Sequence, residues 1–279
     1  MTIETLAREP QFVTVDSLRI RFARQEREAA ATFAAAQPVA GEHLRLRADV
    51  ARAGGQVLAC GGRLAGLRPI GRAPGPLQPR ALGDFLPRIV EAVGIDSAHA
   101  VGPDVGTAAL LFTEAVHPGT FASIQVGGGG AAFPLRVTGL LKDFIDAPSL
   151  DAFAGADPAE IVSGAVRAIP GYDVPDYVVD DYVASYAGTR FVDSIAYVRR
   201  YPQELKELAS LLSDIQTPVH FLAAKHDPYL SLEDPRSVAA ALPHGRVTEL
   251  DNSHNAWEES PESYAAAVAA WALGGYSEA

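Results

Sequence analysis

A short glycine-flanked turn, Gly102-Pro103-Asp104-Val105-Gly106, contains the first residue that could do chemistry. It lies between a short apolar run, Ala98 to Val101, and an apolar stretch of helical length, Thr107 to Val116. A sharp strand-to-helix turn strains its central residue and therefore needs small residues two positions away on either side. It also lifts that side chain above the sheet, at the positive end of the helix dipole. This pattern predicts that Asp104 is a nucleophile; the alternative is that it caps the helix.

Two later segments could supply the base and the orienting acid that a nucleophile needs. His254 lies between the last predicted strand and the last predicted helix. Asp227 directly follows the apolar segment 218–224, and active-site groups gather at the carboxyl ends of parallel strands. We therefore predict that His254 is the base, that Asp227 orients it, and that the backbone N–H of Val105 stabilises a developing oxyanion. The alternatives are a surface-loop histidine and an Asp-Pro turn.

The spacing of apolar residues along the chain predicts the strands and helices that position these side chains. Residues 12–15 and 18–22 alternate apolar and polar side chains, which is typical of a β-hairpin. Helical spacing between Leu82 and Val93 ends at Gly94. Further strands are predicted at 98–101, 121–126, 218–224 and 246–250, further helices at 107–116, 235–242 and 261–273, and a mostly helical, tyrosine-rich stretch at 134–214. This alternation predicts an α/β protein with a parallel sheet and a cap over one end.

The glycine-flanked turn, the helical insertion, Asp227 and His254 together resemble the α/β-hydrolase superfamily, in particular its epoxide hydrolase and haloalkane dehalogenase branch. The resemblance extends from Pro79 to the end of the chain and includes the hairpin. It implies an α/β-hydrolase fold, with a mostly parallel central sheet flanked by helices and a helical cap inserted after the sixth strand. The core would comprise residues 1–133 and 215–279, and the cap residues 134–214.

The same resemblance implies a two-step reaction. Asp104 would attack an electrophilic carbon to give an alkyl-enzyme ester, and water activated by His254 would hydrolyse that ester. Haloalkane dehalogenases place tryptophan directly after the nucleophile, where this chain has Val105; its tryptophans, Trp257 and Trp271, are interpreted as packing residues near the C-terminal helix.

Epoxide hydrolases instead protonate the opening epoxide with cap tyrosines. The predicted cap offers six tyrosines, most of which are expected to serve packing. They are Tyr172, Tyr177, Tyr182, Tyr186, Tyr197 and Tyr201. An epoxide is therefore favoured over a halide, by a narrow margin.

The segment from Ala29 to Gln78 departs from the resemblance. Ala, Arg, Gly and Pro dominate it, and arginine outnumbers acidic residues there in a chain with a net charge of −11. The family places a strand and an oxyanion turn in this region; neither is evident, and no strand is predicted. Our hypothesis is a compensated frameshift or a sequencing error, which resequencing of the gene tests. If the segment is genuine, activity is expected to be impaired, because loss of one oxyanion donor costs about 10²–10³ in rate.

Composition and charge limit the partners. The chain has 279 residues, of which 48% are hydrophobic and 20% charged, as in ordinary globular proteins. The negative charge repels phosphates, which argues against nucleic acid. Three features favour a cytoplasmic location without membrane association. The chain has a single cysteine, no apolar signal core between Met1 and Phe12, and no apolar run of about 20 residues.

No metal cluster or phosphate loop is evident in the sequence, so no cofactor is expected. The glycines from Gly127 to Gly130 are interpreted as the hinge into the cap. The expected partner is a small apolar organic substrate, and a homodimer is left open.

Two functions remain open. One is a hydrolase with an aspartate nucleophile. The other is a non-catalytic α/β-hydrolase-like protein that binds a small apolar molecule beneath its cap, favoured by the departure at 29–78. A carboxylesterase or lipase is rejected because the chain contains no Gly-x-Ser-x-Gly.

Overall fold

The described strands join in one central sheet. The computed structural model describes residues 11–16, 18–25, 31–35, 56–60, 78–95 and 98–279. The strands are β1 (Gln11–Val15), β2 (Leu18–Gln25), β3 (Ala31–Ala35), β4 (Gln56–Cys60), β5 (Ala98–Pro103), β6 (Ser123–Gly127), β7 (Val219–Ala224) and β8 (Gly245–Leu250). Their spatial order is β1-β2-β4-β3-β5-β6-β7-β8. The hairpin β1–β2 and the pair β2–β4 are antiparallel, and every pair from β4 to β8 is parallel, so the predicted mostly parallel sheet is confirmed.

Two strands lie in the segment where the sequence predicts none, and that expectation is wrong. β3 pairs in parallel with β5 from Ala31↔Ala98 to Ala34↔Val101, and β4 pairs in parallel with β3. Both strands have five residues, and β3 is rich in alanine, so neither shows a strong local strand preference. Pairing with distant strands determines their conformation. The other residues from 29 to 77 lie outside the described residues, as do those before Gln11, so the frameshift hypothesis stays a prediction.

One face of the sheet is covered by α1 (Pro79–Ala92) and α2 (Gly106–Val116), both predicted from the sequence. α1 begins at Pro79, and proline suits this position because the first N–H groups of a helix have no hydrogen-bond partner within the helix. The helix buries an apolar stripe that includes Phe85 and Ile89. α2 is apolar around most of its circumference and is buried along most of its length. These helices share one apolar core with β5, β6 and β7. The site-bearing turn between β5 and α2 is therefore held by the most buried part of the molecule.

A helical insertion, residues 134–214, connects β6 to β7. It contains α3 (Gly139–Asp146), α4 (Pro158–Arg167), α5 (Asp176–Ser185), α6 (Arg190–Val198) and α7 (Tyr201–Leu211), with 3₁₀ turns at Leu150–Phe153 and Leu212–Asp214. Residues of α4, α5 and α6 form an apolar core of their own, whereas Leu205 and Leu208 of α7 belong to the core of the sheet. The middle of the insertion thus has a core of its own, and its last helix packs on the sheet.

The opposite face of the sheet is covered by the last two helices, whereas the helix before them packs Val238 and Ala239 into the same core as α1 and α2. The last elements are α8 (Glu233–Ala241), α9 (Ala256–Glu259), α10 (Pro261–Ala272) and a 3₁₀ turn at Gly275–Glu278. Successive residues of a strand point to opposite faces, so Val101 packs with Trp257 and Val268 while its neighbour Ala100 packs in the other core. Among the helices of the described ranges, none has the length and apolar character needed to cross a bilayer.

Candidate active site

Asp104 lies in the turn that joins β5 to α2. Its φ of +48° falls in the left-handed region that few non-glycine residues adopt. Backbone hydrogen bonds close the turn: Asp104 N–H donates to the Gly127 carbonyl at 2.8 Å, and Thr107 N–H donates to the Asp104 carbonyl at 2.9 Å. The N-cap of α2 is Val105, and no side chain caps this helix. Helix capping therefore does not explain the aspartate.

Neighbouring glycines allow the end of β6 to lie directly against this turn. A Cβ atom on Gly129 would lie 1.8 Å from the Asp104 carbonyl oxygen, and one on Gly127 would lie 2.0 Å from the Leu222 carbonyl oxygen. Neither position can hold a larger residue unless the backbone moves. The glycines interpreted as a hinge thus have a packing role beside the nucleophile.

Thr107, in the first turn of α2, ties the turn to β6. Its side chain is fully buried, and its hydroxyl accepts a hydrogen bond from Gly127 N–H at 3.2 Å. The carbonyl oxygens of Gly102 and Gly127 lie 3.4 Å and 3.3 Å from the same hydroxyl. A buried hydroxyl with these partners fixes the ends of β5 and β6 relative to the helix.

The structure brings Asp104, Asp227 and His254 together although they come from three separate segments. His254 Nδ1 lies 2.9 Å from Asp227 Oδ2, and His254 Nε2 lies 3.8 Å from Asp104 Oδ2. Side-chain exposure is 29% for Asp104, 14% for His254 and 5% for Asp227. The carboxylate at the turn is thus the most accessible of the three, and the acid is the most deeply buried.

Asp227 has contacts that fit both of the interpretations that the sequence leaves open. Its Oδ1 accepts backbone hydrogen bonds from Tyr229 at 2.8 Å and Leu230 at 3.1 Å, as in an aspartate turn. Its Oδ2 faces His254. The turn fixes the carboxylate, and the carboxylate in turn fixes the imidazole, with Nε2 towards Asp104.

The electrostatic state of His254 follows from its two carboxylate neighbours. Burial acts to lower the pKa of the imidazole, but Asp104 and Asp227 together outweigh it and raise the pKa to about 10. At 3.8 Å the Asp104 contact is an ion pair and too long for a direct hydrogen bond. The resting site therefore holds an imidazolium between two carboxylates at neutral pH.

Comparison with known proteins assigns the fold. No protein-family model and no curated protein matches the sequence. An alpha/beta hydrolase fold protein from Burkholderia ambifaria has 15% identity and a TM-score of 0.75, over 92% of this chain and 96% of that chain. The fold is that of the α/β hydrolases.

Two further α/β-fold neighbours have different described chemistries. A candidate epoxide hydrolase from Klebsiella pneumoniae has 16% identity and a TM-score of 0.74, over 96% of this chain and 98% of that chain. The enol-lactonase from Burkholderia xenovorans LB400 has 17% identity and a TM-score of 0.73, over 94% of this chain and 100% of that chain. At these identities the likeness establishes the α/β-hydrolase fold and leaves the reaction to the residues of the site.

The predicted cap tyrosines have different surroundings within this α/β-hydrolase fold. Tyr177 is 64% exposed, and Tyr172 and Tyr186 pack against the insertion's own core. The Tyr182 hydroxyl donates to Glu258 at 3.3 Å. The described surroundings of Tyr172, Tyr182 and Tyr186 are thus the insertion's own core and, for Tyr182, Glu258 as well.

Tyr197 and Tyr201 lie near the turn that carries Asp104. The Tyr197 hydroxyl donates to the Val105 carbonyl at 2.9 Å, and its ring lies edge-on to that of Tyr201, with centroids 5.9 Å apart. Burial raises the pKa of both phenols well above the ordinary value, and the negative charge of Asp104 adds to this effect. Both hydroxyls are therefore protonated at neutral pH.

Sequence reasoning missed two residues that hold the histidine. The Tyr229 ring lies edge-on to the His254 ring, with centroids 5.0 Å apart. Glu259 Oε2 accepts hydrogen bonds from the backbone N–H of Ser253, at 2.8 Å, and from its hydroxyl, at 2.6 Å. The only local signals are the positions of Tyr229, two residues after Asp227, and of Glu259, five residues after His254. Both signals are weak without the fold.

The predicted oxyanion site lies only partly within the described residues. The Val105 N–H belongs to the residue directly after Asp104, where a donor to the ester oxygen is needed. The resemblance places a second donor between residues 29 and 78, most of which lie outside the described residues. Within the described ranges, no group of three or more His, Cys, Asp or Glu side chains is arranged to hold a metal ion.

Proposed function

We propose that this protein is a hydrolase that uses Asp104 to attack an electrophilic sp³ carbon, with an epoxide as the preferred substrate class. The observation that carries the proposal is the position of His254, 2.9 Å from Asp227 on one side and 3.8 Å from the accessible Asp104 carboxylate on the other. This arrangement supports Asp104 as the nucleophile, His254 as the base and Asp227 as the orienting acid.

The nucleophile limits the substrate. A carboxylate that attacks a carboxylic ester would form an anhydride, whereas a carboxylate that attacks an sp³ carbon forms an ester that water can open. In the first step an Asp104 oxygen bonds to an epoxide carbon as the ring C–O bond breaks. The oxygen released from the ring takes a proton from a neighbouring acid.

Protonated phenols support an epoxide as the substrate. Burial raises the pKa of Tyr201, and partial burial raises that of Tyr229. The charge of Asp104 raises the pKa of Tyr201 further, and the charges of Asp227 and Asp104 raise that of Tyr229 further. A neutral phenol can donate a proton to an alkoxide, whereas a departing halide needs none. Val105 also has no side-chain donor for a halide.

In the second step water opens the ester. Esterification removes the negative charge of Asp104, so one of the two groups that raise the His254 pKa is lost. The imidazolium then returns a proton to the phenolate that the first step leaves. The neutral imidazole takes a proton from water, which attacks Asp104 Cγ while the Val105 N–H stabilises the oxyanion. Cleavage of the tetrahedral intermediate restores Asp104 and releases a diol.

The proposal predicts a covalent adduct when the base is removed. His254→Gln should form the ester with Asp104 and fail to hydrolyse it. Incubation with styrene oxide, followed by intact-protein mass spectrometry and peptide mapping, should show a mass increase of one epoxide on the peptide that contains Asp104. A parallel incubation with 1-bromobutane tests the halide alternative.

The matched control is His254→Gln combined with Asp104→Asn, which should remain unmodified. If folded His254→Gln formed no adduct with either compound, the aspartate-nucleophile hydrolase would be wrong, and the binding-protein alternative would be favoured.

A further inference from the structure

The first residues of the helical insertion are joined to the loop that carries the acid. We call residues 136–139 the lead-in segment and residues 227–231 the acid loop. Val137 and Leu230 form an antiparallel β-bridge. Thr138 N–H donates to the Tyr229 carbonyl at 2.9 Å, and Ser231 N–H donates to the Arg136 carbonyl at 3.3 Å. The insertion is therefore hydrogen-bonded to the part of the backbone that presents Asp227.

A half-buried ion pair anchors the lead-in segment. The Asp234 side chain is 5% exposed, and its two oxygens accept from Arg136: Oδ1 from the guanidinium at 2.7 Å and Oδ2 from the backbone N–H at 3.0 Å. Asp234 N–H donates to the Ser231 carbonyl at 3.0 Å, at the end of the acid loop. Asp234 thus connects the lead-in segment, through its carboxylate, with the acid loop and the start of α8, through its backbone N–H. A buried carboxylate with several charge-assisted hydrogen bonds is a stronger anchor than a surface pair.

Tyr229 continues this connection to the base. Its N–H donates to Asp227 Oδ1, and its carbonyl accepts from Thr138. Its ring lies between the lead-in segment and the histidine: the nearest ring atom is 3.5 Å from the position of a Cβ on Gly139, and its centroid is 5.0 Å from that of His254. A displacement of the lead-in segment would therefore move both the acid and one wall of the imidazole site.

We propose that the lead-in segment is a positioning element for His254, with the Arg136–Asp234 pair as its anchor and Tyr229 as the link to the imidazole. This inference rests on the proposed two-step reaction. It assigns to the beginning of the insertion the task of holding Asp227 and His254 in register with Asp104.

The two chemical steps depend on this element to different degrees. Asp104 is held by β5, β6 and Thr107, and none of these belongs to the lead-in segment or the acid loop. Attack by Asp104 on the substrate should therefore proceed without the anchor. Ester hydrolysis needs His254 beside the attacking water, and a misplacement of about 1 Å can cost up to about 10²-fold.

The experiment separates the steps in single turnovers with styrene oxide. In Asp234→Ala, which removes both acceptors, we expect ester hydrolysis to slow by about 10-fold to 100-fold while ester formation stays within about 2-fold. Arg136→Ala should slow hydrolysis less, because the backbone N–H contact with Asp234 remains. Arg136→Lys should partly restore it.

The matched control is Arg236→Ala. Arg236 also lies on α8 and pairs with carboxylates, Glu233 and Glu249, but it is exposed and contacts neither the acid loop nor the lead-in segment. It should hydrolyse the ester at the rate of the unmodified sequence. Equal loss of both steps in Asp234→Ala, or hydrolysis at the unmodified rate in Asp234→Ala and Arg136→Ala, would overturn the proposal.

A spectroscopic measurement tests the positioning without any substrate. The His254 Nδ1 proton, 2.9 Å from Asp227, should give a downfield proton resonance. The proposal requires that resonance to shift in Asp234→Ala and Arg136→Ala and to stay in place in Arg236→Ala; an unchanged resonance in all three would contradict it. This result does not depend on adduct formation, so failure of the positioning proposal and failure of the proposed reaction are distinguishable.

Discussion

At the scale of single residues, the charge of Asp104 controls what His254 can do. The imidazole lies between two carboxylates, which outweigh burial and bring its pKa to about 10. A protonated imidazole cannot act as a base, so in the proposed reaction His254 becomes the base only after Asp104 has been esterified. Once Asp104 is esterified, only Asp227 remains to favour the cation while burial continues to oppose it. In the proposed reaction the first step thus prepares His254 to act as the base in the second.

This coupling predicts the titration of His254 in an ester mimic. Asp104→Asn removes the same negative charge as esterification while it preserves the size of the side chain. We expect the His254 pKa to fall below that of the unmodified protein, where the imidazole stays protonated up to about pH 10. Titration of the imidazole ¹⁵N resonances measures both values. His226→Gln, at an exposed pair with Asp251, serves as a control that should leave the His254 pKa unchanged; equal pKa values in Asp104→Asn and the unmodified protein would refute the coupling.

The residues that sequence reasoning found and missed differ in how local their signals are. Asp104 has glycines two positions away on both sides, and His254 and Asp227 each follow a predicted strand. Such patterns are contained within a few residues. The position of Tyr229 against His254, by contrast, depends on the meeting of two loops and on Gly139 of the insertion. No spacing in the sequence encodes that contact.

At the scale of elements, the first turn of α2 joins the turn that carries Asp104 to the sheet. Thr107 is buried and its hydroxyl contacts backbone groups of β5 and β6. Thr113, six residues later on the same helix, is also buried, but its hydroxyl donates to the Gly83 and Ala109 carbonyls, away from Asp104. The two threonines therefore form a natural pair for comparison.

Thr107→Val should affect both stability and chemistry. We expect the free energy of unfolding to fall by about 1–3 kcal/mol, because a buried N–H loses its acceptor. Ester formation in the His254→Gln background should also slow, because the turn that presents Asp104 loses a support. Thr113→Val should reduce stability by a similar amount and leave ester formation unchanged. Urea denaturation and adduct mass spectrometry measure the two effects; equal ester formation in both variants would show that Thr107 is only a packing residue.

The strands show the same distinction between local and distant signals. β5, β6 and β7 are buried apolar runs beside clear turns, so the sequence predicts them, along with the helices that follow them. β3 is a five-residue, alanine-rich strand, and it is held by parallel pairing with β5, more than sixty residues later in the chain. Parallel pairing depends on the whole fold, and the local sequence of β3 shows little of it.

At the scale of the whole molecule, the sheet has an apolar face and a face with buried polar side chains. His220, on β7, accepts a hydrogen bond at Nδ1 from the Gln125 amide at 2.9 Å, and its Nε2 lies 2.8 Å from the Thr248 hydroxyl. The Trp271 ring of α10 covers it, with centroids 4.8 Å apart. The neutral imidazole thus has both nitrogens paired beneath the C-terminal helix, which leaves no acceptor for a second ring proton.

Acid should therefore loosen the attachment of α10. Burial and, to a lesser extent, the positive charge of Arg246 lower the pKa of His220 from 6.5 to about 4. The unfolded chain therefore binds a proton at His220 more readily than the folded protein does. The neutral imidazole contributes its full stabilisation above about pH 6.5, and about 3 kcal/mol of stability is lost as the pH falls towards 4. Urea denaturation at successive pH values should show this slope, and His220→Gln should flatten it. His244→Gln, at an exposed histidine, should keep the slope of the unmodified protein. A slope that persists in His220→Gln would mean that other groups govern acid stability, and that the polar face beneath α10 tolerates the added charge.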